Sequence, residues 1–264
     1  MDTNKRLPEE PEKRRVIMVL SRQDLNQLQI DAKSNNSARE LFLNNQVSVL
    51  DDSAIDDSPL IQKLKGSGLL NPGSILIQSP YDTSLYADAS SASYSFAQAK
   101  CMSFSILCGL LAAKKVSVKQ MEINTSDITT EVSAKADVTE IAGKVDFRNI
   151  AFNRMQKVIS INQKYAQGEA KIEYAKSYLL KHQWLSDVQM TGLLYLREAK
   201  VPIEEHEFIL SLTEESKKNL KVAFDLEIPI KPTIPIVGQL MGNLQKIKQE
   251  TFDFSLTINV EFWN

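Results

Sequence analysis

Apolar and polar residues alternate without a break over Thr251–Trp263. Phe252, Phe254, Leu256, Ile258, Val260 and Phe262 share one parity, and Asp253, Ser255, Thr257, Asn259 and Glu261 share the other. Successive side chains of a strand point to opposite faces, so this segment predicts a long strand with one greasy and one polar side. Its greasy side needs sheet neighbours and a covering layer.

The same reading, applied upstream, places the other elements. The unbroken apolar run Val16–Leu20 predicts a central strand buried on both faces. Gln23–Asp31 follows as a short helix. Residues 33–62 are a polar, acidic excursion, with Ala38–Leu43 and Val47–Leu50 as candidate brief elements inside it. Asn71-Pro72-Gly73 signals a turn, and Ser74–Gln78 a short buried strand that Pro80 ends. Ala89–Lys115 predicts a long helix, apolar around most of its circumference and therefore largely buried. Ala92, Phe96, Ala99, Ile106 and Leu110 lie near one of its faces.

A β-rich block comes next. In Val116–Ile123 the apolar parity changes between Val118 and Met121, which predicts a bulge. Ile128–Val138 and Lys144–Phe152 are further alternating strands. Glu169–Leu185 predicts a helix, and Ser186 with Gln189 three residues on predicts the capped start of another; the two form a hairpin joined around Trp184–Ser186. The last third predicts a strand over Glu207–Thr213, a short helix over Glu214–Leu220, a strand over Lys221–Lys231, and a helix from Pro235 through Glu250. Pro229 and Pro232 put the end of that strand at a sheet edge or out of the sheet.

Helices and strands come in clusters, not in strict β–α–β alternation. The expected class is α+β: a mostly antiparallel sheet of long amphipathic strands, covered on one face by helices that include the one near 89–115. One domain is drawn over residues 15–264, preceded by a disordered charged arm over 1–14.

Composition changes this picture little. Thirty-one basic and 33 acidic residues give a formal net charge of −2, which argues against broad nucleic-acid binding. The chain has 9 glycines, and no phosphate-cradling glycine motif occurs; Gly66-Ser67-Gly68 reads as a turn. The two cysteines, Cys101 and Cys108, fall seven apart in one predicted helix, about 10 Å along its axis and beyond disulfide reach. They read as free buried thiols of a reducing compartment, so a cytoplasmic location is expected.

Each candidate chemistry has a plainer explanation. The Asp51-Asp52-Ser53 and Asp56-Asp57-Ser58 units lack the spacing and glycine of a calcium loop. His182 and His206 have no metal-ligand partner at the right spacing, and Glu204-Glu205-His206-Glu207 reads as the wet start of a strand. Glu169-Ala170-Lys171 resembles part of a metal-nuclease motif but sits at a predicted helix start. No catalytic, cofactor-binding or metal-ligating residue is assigned, and no cofactor is expected.

The functional expectation is a non-enzymatic interaction or assembly component: an adaptor, a regulatory subunit or a self-assembling subunit, partnered by protein or by itself. One alternative is a pore-forming or membrane-remodelling protein whose strands within 128–152 act as hairpins, the only reading that brings in a membrane. Another is an enzyme whose site is assembled from residues scattered along the sequence.

Overall fold

The computed structural model describes residues 7–52, 58–125, 162–211, 214–224, 240 and 252–263. Its Cα packing forms two compact units, residues 1–93 with 214–249 and residues 94–213 with 250–264. Each has its own sheet, where the sequence suggested one. The class is α+β, and both sheets are mostly antiparallel.

The first unit is built around β1 (Val16–Leu20), whose five residues are all buried. It pairs in parallel with β2 (Val47–Asp51) and antiparallel with β3 (Ile75–Gln78), which pairs in turn with β4 (Tyr86–Asp88). Parallel partners need a crossover; here it is α1 (Arg22–Asp31) followed by α2 (Asn36–Leu43). The polar excursion is therefore more ordered than its composition suggests. Ser21 caps α1 by accepting from the Asp24 N–H. On one face of the sheet, Ile17, Val19, Leu50 and Leu76 meet Ile61 and Leu64 of α3 (Pro59–Gly66). The expected turn is present: Ser74 N–H donates to Asn71 O at 3.0 Å, and Gly73 has φ 87°. With Pro72 second and a positive-φ residue third, it is a type II turn that favours glycine at that place.

Of the charged arm, Leu7 packs against this core and Pro11–Arg14 form a 3-10 turn. A buried amide holds the turn: Gln78 Nε2 donates to Pro11 O at 3.2 Å, and Tyr86 OH donates to Arg14 O at 2.8 Å. The predicted strand Lys221–Lys231 begins instead as helix. Within the first unit, a helix runs over Glu214–Phe224 with Leu220 and Ala223 buried, three residues apart on one stripe. Residues 225–231 lie outside the described residues. So do the predicted strands Ile128–Val138 and Lys144–Phe152, and all of the predicted helix Pro235–Glu250 except residue 240, which is helical.

The second unit carries the longest strands among the described residues. Its sheet order is β6 (Asn162–Lys164), β5 (Ala113–Thr125), β8 (Phe252–Phe262), β7 (Glu205–Ser211). The terminal strand is thus central in its sheet. Leu256, Ile258, Val260 and Phe262 are buried, as the alternation requires. The parity change in β5 is a real bulge: Val118 pairs with Ile258 and Gln120 with Thr257, leaving Lys119 between them.

The long helix, α4 (Ala92–Leu110), is shorter than predicted, because residues 113–115 already belong to β5. Its Phe104 ring meets Phe208 of β7 edge-on, with centroids 5.2 Å apart. Ile106, placed near one face with Ala92 and Phe96, is 47% exposed, and Met102 is 58% exposed. The buried stripe includes Ala92, Phe96, Ala97, Cys101, Phe104, Leu107 and Cys108. The helical hairpin is present as α5 (Ile172–Lys181), a 3-10 turn at Trp184–Ser186, and α6 (Val188–Glu198).

Candidate functional site

The second unit contains the most heavily charged buried group among the described residues. Lys100 of α4 and Asp187 are each about 5% exposed at the side chain, and Lys100 Nζ lies 2.6 Å from Asp187 Oδ2. Lys100 also donates to the Ser211 carbonyl at the end of β7, again at 2.6 Å. The other oxygen, Asp187 Oδ1, accepts from the Gln189 and Met190 N–H groups at 3.1 Å each. Asp187, not the expected Ser186, is therefore the cap of α6. An aspartate at this position satisfies orphan amides and complements the positive helix end. One ion pair joins a helix, a helix start and a strand end. Its carboxylate is fully engaged, and its ammonium is shared between that carboxylate and the Ser211 carbonyl. It is a structural clamp.

A second polar cluster lies beside it in sequence. Tyr165 OH donates to Ser105 O at 2.7 Å and lies 2.7 Å from Ser105 Oγ. The Tyr165 ring covers Gly109, where an added Cβ would come 2.9 Å from Cε1. Burial raises the Tyr165 hydroxyl above its ordinary value, with Ser105 opposing. This cluster positions the segment after β6 against α4.

The residues weighed in the sequence fall apart in space or into structural roles. Cys101 and Cys108 are buried and free. Burial pushes the Cys101 thiol up to about 12 and Cys108 well above its ordinary value, which removes the thiolate a nucleophile needs. His182 follows the last turn of α5 and packs on Tyr178, while His206 packs on Phe208, centroids 4.7 and 4.5 Å apart. Asp51 lies in a strand, not a loop. Lys171 precedes α5, and its N–H donates to Leu110 O at 2.7 Å. Among the described residues, no group of three or more His, Cys, Asp or Glu side chains could hold a metal.

Two surfaces of the second unit stand out against this closed interior. The first is the helical hairpin. Leu180, Leu185 and Val188 flank its turn and are 66%, 49% and 79% exposed; Tyr174 and Tyr195, toward its open end, are 72% and 65% exposed. Lys176 of α5 bridges to Glu198 of α6 at 2.6 Å and so fastens the open end. The second is the polar face of the sheet. There Lys119 contacts Glu207 and lies 3.6 Å from Glu205, and Lys115 lies 3.2 Å from Glu261. Beneath them Asn259 is only 4% exposed, and its Oδ1 lacks a hydrogen-bond partner.

Sequence reading missed Lys100, Asp187 and Asn259. Two had a signal. A lone lysine inside an apolar helix needs a buried partner, and an Asp one residue before an apolar helical run is a strong cap. Asn259 shares the polar parity of the strand, which predicts a solvated side chain.

These features define an α+β protein with a clamped interior and an apolar hairpin. No family model, curated protein or solved structure compared with the chain matches it. Among the described residues, no helix is long and apolar enough to cross a membrane.

Proposed function

We propose that this chain is a non-enzymatic interaction or assembly component. The observation that carries the reading is the hairpin α5–α6, where Leu180, Leu185 and Val188 crowd one turn and stand out into solvent. Exposed large apolar side chains grouped in this way mark contact surfaces more often than singly scattered ones do. The hairpin itself is well packed, with Ala175, Leu179, Leu193 and Leu194 buried. An exposed apolar tip on a packed hairpin suits association, either with a protein partner or with a second copy. The buried ionisable groups support the same reading, since their hydrogen bonds hold elements together.

Crosslinking and sedimentation of the full chain test it, beside a variant carrying Leu180→Glu and Val188→Glu. The expected result is that assemblies or crosslinked partners of the natural chain disappear in the variant, with its melting temperature unchanged. An identical distribution of species for both chains overturns the reading.

A further inference from the structure

The outer edge of β7 has the chemistry of a second binding surface. Phe262 N–H donates to Glu204 O at 2.9 Å, and the register runs on from Glu205 opposite Glu261. Bonded and non-bonded pairs alternate along an antiparallel ladder. Glu204, His206, Phe208 and Leu210 therefore turn their backbone groups toward β8. Glu205, Glu207, Ile209 and Ser211 turn theirs away. The contact at Ser211 agrees, since its outward carbonyl accepts from Lys100. That clamp closes one end of the edge. The N–H and C=O groups of Glu205, Glu207 and Ile209 remain, with no hydrogen-bond partner among the described residues.

The side chains beside these groups are open as well. Glu205 and Glu207 are 57% and 54% exposed at the side chain, and Ile209 is 57% exposed. Among the described residues, Lys119 is the cation that reaches these two carboxylates. Two carboxylates against one ammonium leave one negative charge on that face. One strand in, Asn259 stands opposite Glu207 and holds an unused acceptor on the same face. A second copy would bring the same surplus of carboxylates against this one, so charge selects a different occupant.

We propose that the β7 edge binds an extended basic segment of a partner protein by antiparallel strand addition. The partner's backbone pairs with Glu205, Glu207 and Ile209 while alternate Lys or Arg side chains meet the glutamates. The inference rests on the chain being an interaction protein but uses a surface apart from the hairpin.

Fluorescence anisotropy with the full natural chain tests it. The probe is a labelled hexapeptide alternating lysine and valine. In an antiparallel ladder, the residue opposite Glu207 shares its face and exchanges both bonds with it. N-methylation of the lysines is therefore expected to weaken binding at least tenfold, whereas N-methylation of the valines leaves it within about twofold. On the protein side, Ile209→Pro removes an outward N–H and no ladder bond, and is also expected to weaken binding at least tenfold. Circular dichroism reports whether that variant folds, and the methylated peptides decide the matter if it does not.

No binding of the parent peptide overturns the proposal. So does equal binding of both methylated forms, which would make the contact one of charge alone. A self-associated chain that Ile209→Pro converts to monomer, and that the peptide fails to disperse, assigns the edge to a second copy and also overturns it. The hairpin is unaltered throughout, so a null result here leaves the hairpin reading standing, and failure of the hairpin variant leaves this one.

Discussion

Single residues in the second unit show how surroundings reverse the sign of one substitution. Gly109 lies in α4 under the Tyr165 ring, and Gly192 lies in α6 with nothing within 4 Å of a built Cβ. Alanine is favoured over glycine in a helix by about 1 kcal/mol. Gly192→Ala is expected to stabilise the chain by about that amount in urea denaturation. Gly109→Ala is expected to destabilise it by about 1–3 kcal/mol, because the new methyl must displace an aromatic ring fixed by its hydroxyl. Equal shifts for the two would mean that the Tyr165 contact is soft. Asn259 gives a third case. A buried acceptor without a partner costs about 1–3 kcal/mol, so Asn259→Val is expected to raise the urea midpoint. A fall would show that the amide is satisfied in solution.

At the level of elements, the Lys100–Asp187 clamp makes the strongest energetic prediction. Removing one partner leaves a buried charge, which costs about 3–5 kcal/mol, whereas removing both can be nearly neutral. Asparagine still caps a helix. Lys100→Met and Asp187→Asn are each expected to destabilise strongly, and the double variant is expected to recover most of the loss. Purely additive losses in urea denaturation would sink the clamp.

Elements also show what the sequence could reveal. The terminal strand, the buried β1 and the type II turn were legible because each rests on local pattern: parity, an unbroken apolar run, or Pro followed by Gly. The β5 bulge was legible for the same reason. The end of α4 was not, since Ala112-Ala113 suits a helix as well as a strand and the pairing of residue 113 with Phe262 decides it. The Glu214–Phe224 helix ran past its predicted end because Leu220, Val222 and Phe224 fit period 2, while Asn219, Leu220 and Ala223 fit a helical stripe. The candidate surfaces were less visible still. That Ile106 faces out, or that Val188 stands free at a turn, depends on which side of an apolar helix finds a neighbour.

For the molecule as a whole, buried protons set an alkaline limit. Burial raises Cys101 to about 12 from an ordinary value near 9, and Tyr86 to about 12 from near 10. A folded-state pKa above the unfolded one gives stability that is complete below the unfolded value and lost as pH rises through the folded one. The chain is therefore expected to lose stability between about pH 9 and pH 12, and a variant with both cysteines changed to alanine should lose less over that window. Urea midpoints at pH 8 and pH 11 measure the difference. Thiol titration at pH 8 should find both cysteines silent until the chain unfolds.

The bulge in β5 has a further consequence. Val118 and Gln120 face neighbouring residues of β8, so Lys119 is surplus to the ladder. Excising that one position would splice β5 from Lys115 to Thr125 into a single unbroken phase, every partner kept, with the arm that reaches Glu207 gone. Most strands punish a one-residue deletion by turning their downstream half inside out. This one has a seam at which it can be shortened.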